Sequence, residues 1–171
     1  MRDGKEYFRI LYTHIFLLTG LTMNLDDILN TAQLRGKQLG LPYAGALTPK
    51  EAHELMQHHA KAKLVDVRTR AERDWVGRVP NAIEVEIMSY PGNHPNDAFI
   101  PELEKMVAKD AVIMFLCRSG GRSHNAAAFA AQAGFTQCYN VLEGFEGDRD
   151  DNGHRNKLGG WRVAGLPWIQ G

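Results

Sequence analysis

The sequence predicts an α/β fold, a small doubly wound parallel sheet with helices on both faces. Short runs of strand-forming residues alternate with helical segments along the chain, which is typical of parallel strands joined by helices. The run at residues 112–116 is apolar throughout, as in a strand that is buried on both faces. The alanine-rich run at residues 125–134 predicts a helix packed closely on that strand.

Length and composition set the class of protein. A chain of 171 residues, 44% hydrophobic and 23% charged, is enough for one globular domain with a core. Its 20 basic and 20 acidic residues leave no net charge, so we expect neither a nucleic-acid partner nor a membrane partner. Cys117 and Cys138 are not a C-x-x-C pair, and this favours a reducing compartment, so we expect a cytoplasmic protein.

The predicted domain does not include the N-terminus. We expect residues 1–22 to be a disordered extension and residues 23–46 to be a peripheral helix and linker, followed by a domain at residues 47–168. The apolar run at residues 10–21 is too short to span a bilayer as a helix, and no cleavage pattern follows it. Export through this segment is therefore the less favoured prediction.

Two helices precede the first predicted strand. Asn24 is placed to cap a helix that ends near Gly40. The second helix starts at a capping box formed by Thr48 and Glu51, with a proline at its first position, and ends near His59.

The remaining elements alternate in type. Strands are predicted at residues 63–67, 82–87, 111–116 and 136–142. Helices are predicted at residues 71–75, 101–109 and 125–134, and polar loops at residues 89–97 and 143–160. Ligands of parallel sheets bind beyond the carboxyl ends of the strands, and Cys117 directly follows such a strand.

A short polar loop joins the buried strand to the alanine-rich helix. Its residues are Cys117, Arg118, Ser119, Gly120, Gly121, Arg122 and Ser123. The glycines let the backbone turn its N–H groups toward one point, where the positive end of the helix dipole also lies, so we expect an anion site. A cysteine beside a helix N-terminus and arginines favours the thiolate, which is its nucleophilic form.

Several motifs resemble, in order and spacing, a single-domain rhodanese. They are LVDVR at residues 64–68 with Glu72, GRVPNAI at 77–83, CRSGGRS at 117–123, LEGF at 142–145 and GWRVAGLP at 160–167. The resemblance covers roughly residues 47–168, and several motifs in the right order are more specific than any one of them.

The resemblance implies sulfurtransferase chemistry on a small doubly wound α/β domain. In that family the cysteine takes the outer sulfur of a donor such as thiosulfate, becomes a persulfide, and passes the sulfur to cyanide or a thiol. Cys117 is then the catalytic residue, and neither a metal nor an organic cofactor is implied. The implied partners are a small anionic sulfur donor, a thiol or cyanide acceptor, and a sulfur-relay protein.

The charged residues near the loop are expected to have different roles. Arg118 and Arg122 are predicted to present their planar guanidinium groups to the sulfonate of a donor. The loop amides are predicted to hold the anionic persulfide sulfur as an oxyanion hole holds oxygen. Asp66, Arg68 and Glu72 are expected to support the loop, with a salt bridge from Arg68 to Glu72 or to Asp66.

Two other functions remain open. One is a sulfur carrier or regulatory module that receives sulfur or an anion from a partner protein and turns over no small donor. The other is a phosphatase or arsenate reductase, which the loop length disfavours. Phosphatases that resemble this fold place five residues between Cys and Arg, whereas four separate Cys117 from Arg122.

Other chemically active residues are expected to be structural. Cys138 is expected in the core and His124 as a solvated polar residue. Residues 148–153 resemble the start of a calcium-binding loop, but Gly159 occupies the position that needs glutamate, so a polar turn is predicted. The second helix carries His53, His58 and His59. Their spacing places no two of them on one helix face one turn apart, so no metal site is predicted there.

Overall fold

The computed structural model describes residues 24–171, so the extension predicted at residues 1–22 lies outside the described part. The strands are β1 Gly45–Leu47, β2 Ala62–Asp66, β3 Ile83–Glu84, β4 Val112–Leu116 and β5 Gln137–Val141. The helices are α1 Leu25–Gln38, α2 Pro49–His58, α3 Arg70–Val76, α4 Phe99–Met106 and α5 Gly121–Gln132. The five strands form one parallel sheet in the order β1-β5-β4-β2-β3.

Apolar side chains cover both faces of this sheet. On one face, Ile113 and Phe115 of β4 share a buried cluster with residues of α4 and α5. On the other, Met114 and Leu116 share a second cluster with α1, α2 and the fully buried Trp161. The predicted fold class, a doubly wound parallel sheet with helices on both faces, is therefore confirmed.

The central strand ends where a ligand is expected to bind. β4 lies between β5 and β2, and all of its residues are buried, as its unbroken apolar run predicts. The chain continues from β2 to one edge of the sheet and from β4 toward the other, so the two strands flank a topological switch point. Cys117 immediately follows β4 at that point.

The segment before residue 47 is part of the sheet. No strand was predicted at β1, yet Gly45 to Leu47 pair with Tyr139 to Val141 of β5. Helix α1 crosses β1 so closely that a Cβ built on Gly45 would lie 2.3 Å from the carbonyl oxygen of Ala32. Residues 23–46, predicted as a peripheral helix and linker, thus supply a packed helix and most of an edge strand.

A buried ion pair joins α1 to α2. Arg35 and Glu51 are 5% exposed each, and the guanidinium donates to both carboxylate oxygens over 3.0 and 3.2 Å. Arg35 also donates to the carbonyl of Ala46 in β1. Glu51 completes the capping box of α2 by accepting from the Thr48 N–H, so one side chain fixes both the helix start and the interhelical contact.

Several element boundaries differ from the predicted ones. The strand predicted at residues 82–87 pairs only at Ile83–Glu84, because the chain beyond forms single bonds to β2 and then turns away. The helix predicted at residues 101–109 spans Phe99–Met106. The alanine-rich helix begins at Gly121, four residues before its predicted start, so the loop after Cys117 is shorter than expected.

Removal of the Arg35 charge tests how much the ion pair between α1 and α2 contributes to stability. Arg35→Met leaves Glu51 buried without its partner, so we expect the free energy of unfolding to fall by about 3 kcal/mol. Lys61→Met is the control, because both members of the Lys61–Asp110 pair are exposed and the pair should contribute little to stability. Urea denaturation measures both; equal losses in the two variants would contradict a structural role for α1.

Candidate active site

Cys117 lies at the bottom of a cradle formed by residues 117–123. The chain leaves β4 at Leu116, turns through Arg118 and Ser119, and enters α5 at Gly121. The cysteine side chain is 1% exposed. A reagent can therefore reach its sulfur only through the space in front of the cradle.

Two groups donate hydrogen bonds to the sulfur. The N–H of Gly120 and the hydroxyl of Ser123 each lie 3.2 Å from Cys117 Sγ. Ser123 is fully buried, so its hydroxyl is held in this position. Both donors stabilise negative charge on the sulfur. The sequence predicted the backbone of this loop as the anion site; the contribution of the Ser123 hydroxyl was missed.

The loop has further backbone donors without a partner. The N–H groups of Arg118, Ser119, Gly121 and Arg122 have no acceptor within residues 24–171. Those of Gly121 and Arg122 belong to the first turn of α5, where the helix dipole favours an anion. These main-chain donors suit an anionic group, and the anion site of the loop stays a prediction.

The two loop glycines have different roles. Gly120 has φ +97°, and a Cβ there would lie 2.1 Å from the carbonyl oxygen of Leu142. Only glycine fits this position, both for its backbone conformation and for its space. A Cβ on Gly121 would meet no atom within 4 Å, so Gly121 borders the open front of the cradle.

A second backbone segment holds the cradle from behind. Phe145 N–H donates to the carbonyl of Cys117 over 2.8 Å, and Glu146 N–H donates to that of Arg118 over 2.9 Å. Asn140 Nδ2 donates to the carbonyl of Gly120 over 3.1 Å. These bonds engage three carbonyls of the loop and fix its backbone. Sequence reasoning did not identify Asn140, which carries no motif signal.

Arg122 is occupied by a carboxylate. Its guanidinium donates to both oxygens of Glu72 over 2.8 and 2.6 Å. Glu72 of α3 therefore fills the guanidinium fork that Arg122 is predicted to present to the donor's sulfonate, and that role stays a prediction. Arg118 is exposed, and its guanidinium makes no ion pair within residues 24–171.

The Glu72–Arg122 contact favours the charged form of both side chains. Burial alone raises the pKa of Glu72, but the bonds and charge of Arg122, together with the Thr69 N–H and hydroxyl, lower it to about 2. Burial acts to lower the pKa of Arg122, but Glu72 outweighs it and the pKa is raised. The bridge thus stays ionised and anchors the start of α5 to α3.

Arg68 supports the cradle from below. Of the two partners predicted for it, the structure selects Asp66, with Nη2 2.7 Å from Oδ2; Glu72 is taken by Arg122. Both members of this pair are fully buried, and Arg68 also donates to the carbonyl of Gly77 over 2.9 Å. Its guanidinium lies 4.0 Å from the ring centroid of Phe145, whose N–H bonds to Cys117.

His124 differs from its predicted state. It is half-buried, and its Nδ1 lies 2.6 Å from the hydroxyl of Tyr43. Burial raises the pKa of Tyr43 to about 12, although a bond from Asn140 lowers it, so the phenol keeps its proton and can donate it to Nδ1. This contact attaches the first turn of α5 to the segment before β1.

The other candidate residues lie apart from the cradle. Cys138 is fully buried in β5, and burial raises its pKa to about 12 despite the charge of Lys109. The run that resembles a calcium loop forms a turn. In this turn, Asp150 Oδ1 accepts hydrogen bonds from the backbone N–H groups of Asn152 and His154. Within the described chain, no group of His, Cys, Asp and Glu side chains is arranged to hold a metal ion.

Comparison with known proteins identifies the family of this fold. The model of the rhodanese-like domain matches residues 48–150. An uncharacterized protein of Rickettsia conorii is 37% identical over 121 residues, which are 69% of this chain and 91% of the relative. The thiosulfate sulfurtransferase GlpE of Actinobacillus succinogenes is 31% identical over 71% of this chain and 86% of its own length.

A solved structure agrees with the architecture. The crystal structure of Rv0390 from M. tuberculosis has a TM-score of 0.69 and 44% sequence identity. The match covers 75% of this chain and 99% of that chain.

The glycines of the cradle provide a test of its geometry. Gly120→Ala places a Cβ against the Leu142 carbonyl, so we expect the free energy of unfolding to fall by at least about 2 kcal/mol. Gly121→Ala is the matched control, since its Cβ enters open space and the change should stay within about 0.5 kcal/mol. Urea denaturation compares the two; similar stabilities would contradict the close approach at Gly120.

The Glu72–Arg122 bridge predicts a pH dependence. The pKa of Glu72 is lowered from 4.5 to about 2 on folding, so the bridge stabilises the protein fully above the unfolded value and loses this contribution as pH falls toward 2. We expect the difference in unfolding free energy between wild type and Glu72→Gln to be largest at neutral pH and to shrink between pH about 5 and 3. A difference independent of pH would contradict the prediction.

Proposed function

The chain belongs to the rhodanese-like domain family, a sulfurtransferase-type family, and on this premise we propose that it transfers sulfane sulfur through a persulfide on Cys117. The donor is thiosulfate or a related small anion, and the acceptor is cyanide or a thiol. Thiosulfate as donor is supported by the name of the A. succinogenes relative.

One observation carries this proposal. The Cys117 sulfur is a deeply placed atom that accepts hydrogen bonds from the Gly120 N–H and the Ser123 hydroxyl, with further unpaired amides around it. A core cysteine needs no such donors, whereas a sulfur that carries negative charge during turnover is stabilised by them. We therefore assign Cys117 as the nucleophile and the loop from Arg118 to Ser123 as its anion site.

The first half-reaction loads the sulfur. The Cys117 thiolate attacks the outer sulfur of thiosulfate, the S–S bond of thiosulfate breaks, and sulfite leaves with the electron pair. The product is a persulfide anion, Cys117–S–S⁻, and the total charge is unchanged because thiosulfate and sulfite are both dianions. We expect the amides of Arg118, Ser119 and Gly121, which have no acceptor within residues 24–171, to receive the new terminal sulfur.

The second half-reaction releases the sulfur. Cyanide attacks the terminal sulfur and leaves as thiocyanate, and Cys117 returns as the thiolate that Gly120 and Ser123 stabilise. No oxidant, metal or organic cofactor takes part in either step. Asp66, Arg68 and Glu72 act as positioning residues, since they fix Phe145 and α5 rather than contact the sulfur.

A phosphatase or arsenate reductase is less well supported. The loop has four residues between Cys117 and Arg122, one fewer than phosphatases of similar fold. Arg122 also directs both arms of its guanidinium to Glu72, so it does not present them to an oxyanion in the cradle. Phosphate-ester hydrolysis that depends on Cys117 would reverse this preference.

A sulfur-carrier or regulatory module is the second candidate. Residues 143–160, which contact the cradle through Glu146 and lie mostly outside the family motifs, support this candidate as a surface for a relay protein. Negligible thiosulfate turnover, together with persulfide transfer from a cysteine desulfurase to Cys117, would select this alternative.

The proposed compartment is the cytoplasm. Both cysteines are free and buried, as suits a reducing environment. Within residues 24–171, no helix combines the length and apolar character needed to cross a bilayer.

The persulfide is directly measurable. After incubation with thiosulfate, we expect the intact mass of the protein to rise by one sulfur atom and cyanide to remove that atom as thiocyanate. Cys117→Ala should lose both the mass increase and all turnover, because no nucleophile remains. Cys138→Ala is the matched control and should retain both, since its thiol is buried in β5. Sulfur bound equally by both variants would contradict the proposal.

A further inference from the structure

Tyr43 joins the segment before β1 to the helix that follows Cys117. Its side chain is 8% exposed and belongs to the apolar cluster on the α5 face of the sheet. Helix α1, which precedes it in the chain, packs on the opposite face, so the chain between α1 and β1 passes around the edge of the sheet. The family match begins at residue 48, and Tyr43 therefore lies outside the matched domain.

The contact of Tyr43 with α5 is made to a side chain of the first helical turn. The Tyr43 hydroxyl lies 2.6 Å from His124 Nδ1, within hydrogen-bond distance. The two rings also pack edge to face, with centroids 5.3 Å apart. The hydrogen bond and the ring contact together fix the orientation of the imidazole.

The main chain of His124 is bonded to the cradle. Its N–H donates to the carbonyl of Gly120 over 3.1 Å, and Asn140 Nδ2 donates to the same oxygen over 3.1 Å. This carbonyl shares a peptide plane with the N–H of Gly121, so the two donors also fix the direction of that N–H. His124 therefore holds a peptide group of the cradle by its backbone, while Tyr43 holds His124 by its side chain.

Gly120 depends on such outside contacts for its conformation. A glycine has access to more backbone conformations than any other residue, so neighbouring groups must select the φ of +97° found here. The Gly120 N–H donates to Cys117 Sγ over 3.2 Å, and the hydroxyl of Ser123, next to His124, donates to the same sulfur over 3.2 Å. A displacement of the first turn of α5 would therefore change both hydrogen bonds to the sulfur.

We propose that Tyr43 is a positioning residue for Cys117. Through His124 it holds the first turn of α5, and with that turn it holds both hydrogen-bond donors to the sulfur. A segment outside the matched family domain thereby controls the surroundings of the reactive atom.

The effect of this contact on turnover rests on the proposed function. When cyanide attacks the terminal sulfur of Cys117–S–S⁻, the S–S bond breaks and its electron pair goes to Cys117, which leaves as the thiolate. Thiocyanate carries away the terminal sulfur, and the total charge is unchanged. Donors held on the Cys117 sulfur stabilise this leaving group, so their displacement slows the step.

Tyr43→Phe tests the proposal because it removes only the hydroxyl. We expect hydrogen exchange of the Gly120 N–H, followed by NMR, to become about fivefold faster, as loss of about one hydrogen bond predicts. With persulfide-loaded protein, the single-turnover rate of thiocyanate release should fall about threefold, because the leaving thiolate is less well stabilised.

Tyr139→Phe is the matched control. Tyr139 is a buried tyrosine of β5 whose hydroxyl accepts from Gln33 Nε2 over 3.1 Å, but it packs in the cluster on the other face of the sheet. This variant loses a comparable hydrogen bond, and it should change neither Gly120 exchange nor thiocyanate release.

Two results would overturn the positioning role. One is Gly120 exchange that is unchanged in Tyr43→Phe or accelerated equally in Tyr139→Phe, as a purely structural role predicts. The other is thiocyanate release that is unchanged although Gly120 exchange is faster. If thiosulfate adds no sulfur to wild-type Cys117, that outcome contradicts only the proposed function, and the exchange rates still decide the role of Tyr43.

Discussion

The geometry of the cradle depends on the close approach of two backbone segments, the loop that follows β4 and the loop that follows β5. Gly120 lies against the Leu142 carbonyl, and a Cβ on Gly144, which has φ +62°, would lie 2.5 Å from the carbonyl oxygen of Cys117. At these separations the segments exchange hydrogen bonds that bind the loop carbonyls from behind. With these carbonyls engaged, the loop amides that have no acceptor are the backbone groups that remain available for an anion. The position of β5 beside β4 therefore sets the geometry of the cradle.

Two ion pairs hold the cradle in this geometry. The buried Asp66–Arg68 pair fixes Phe145 from below, and the Glu72–Arg122 bridge fixes the start of α5 from the side. Asp66 and Glu72 neutralise these two arginines, and the peptide dipoles of the loop and of the α5 terminus add positive character beside the sulfur. Arg118, outside these pairs, adds an unneutralised charge at the entrance.

Local sequence patterns were sufficient to predict most of the helices and strands. The remaining elements depend on tertiary contacts. The capping box at Thr48 and the apolar run of β4 depend on neighbours in the chain, and both were predicted. The three residues of β1 show no periodicity, because their extended state comes from pairing with β5. The cysteine and its loop were identified from composition and spacing. The pairing of Arg122 with Glu72 was not predicted, because it depends on the distance between α3 and α5.

The pairing of β1 with β5 also affects which fragments of the chain can exist on their own. The family match begins at residue 48, just after β1 ends at Leu47. A fragment cut there would lose α1 and β1, and β5 would become an edge strand with unpaired N–H and C=O groups beside an uncovered apolar surface. Exposed edges of this kind pair with other chains, so such a fragment would be prone to self-association. Helix α1 and strand β1, which precede the family domain, thus cover β5 and the apolar surface beside it.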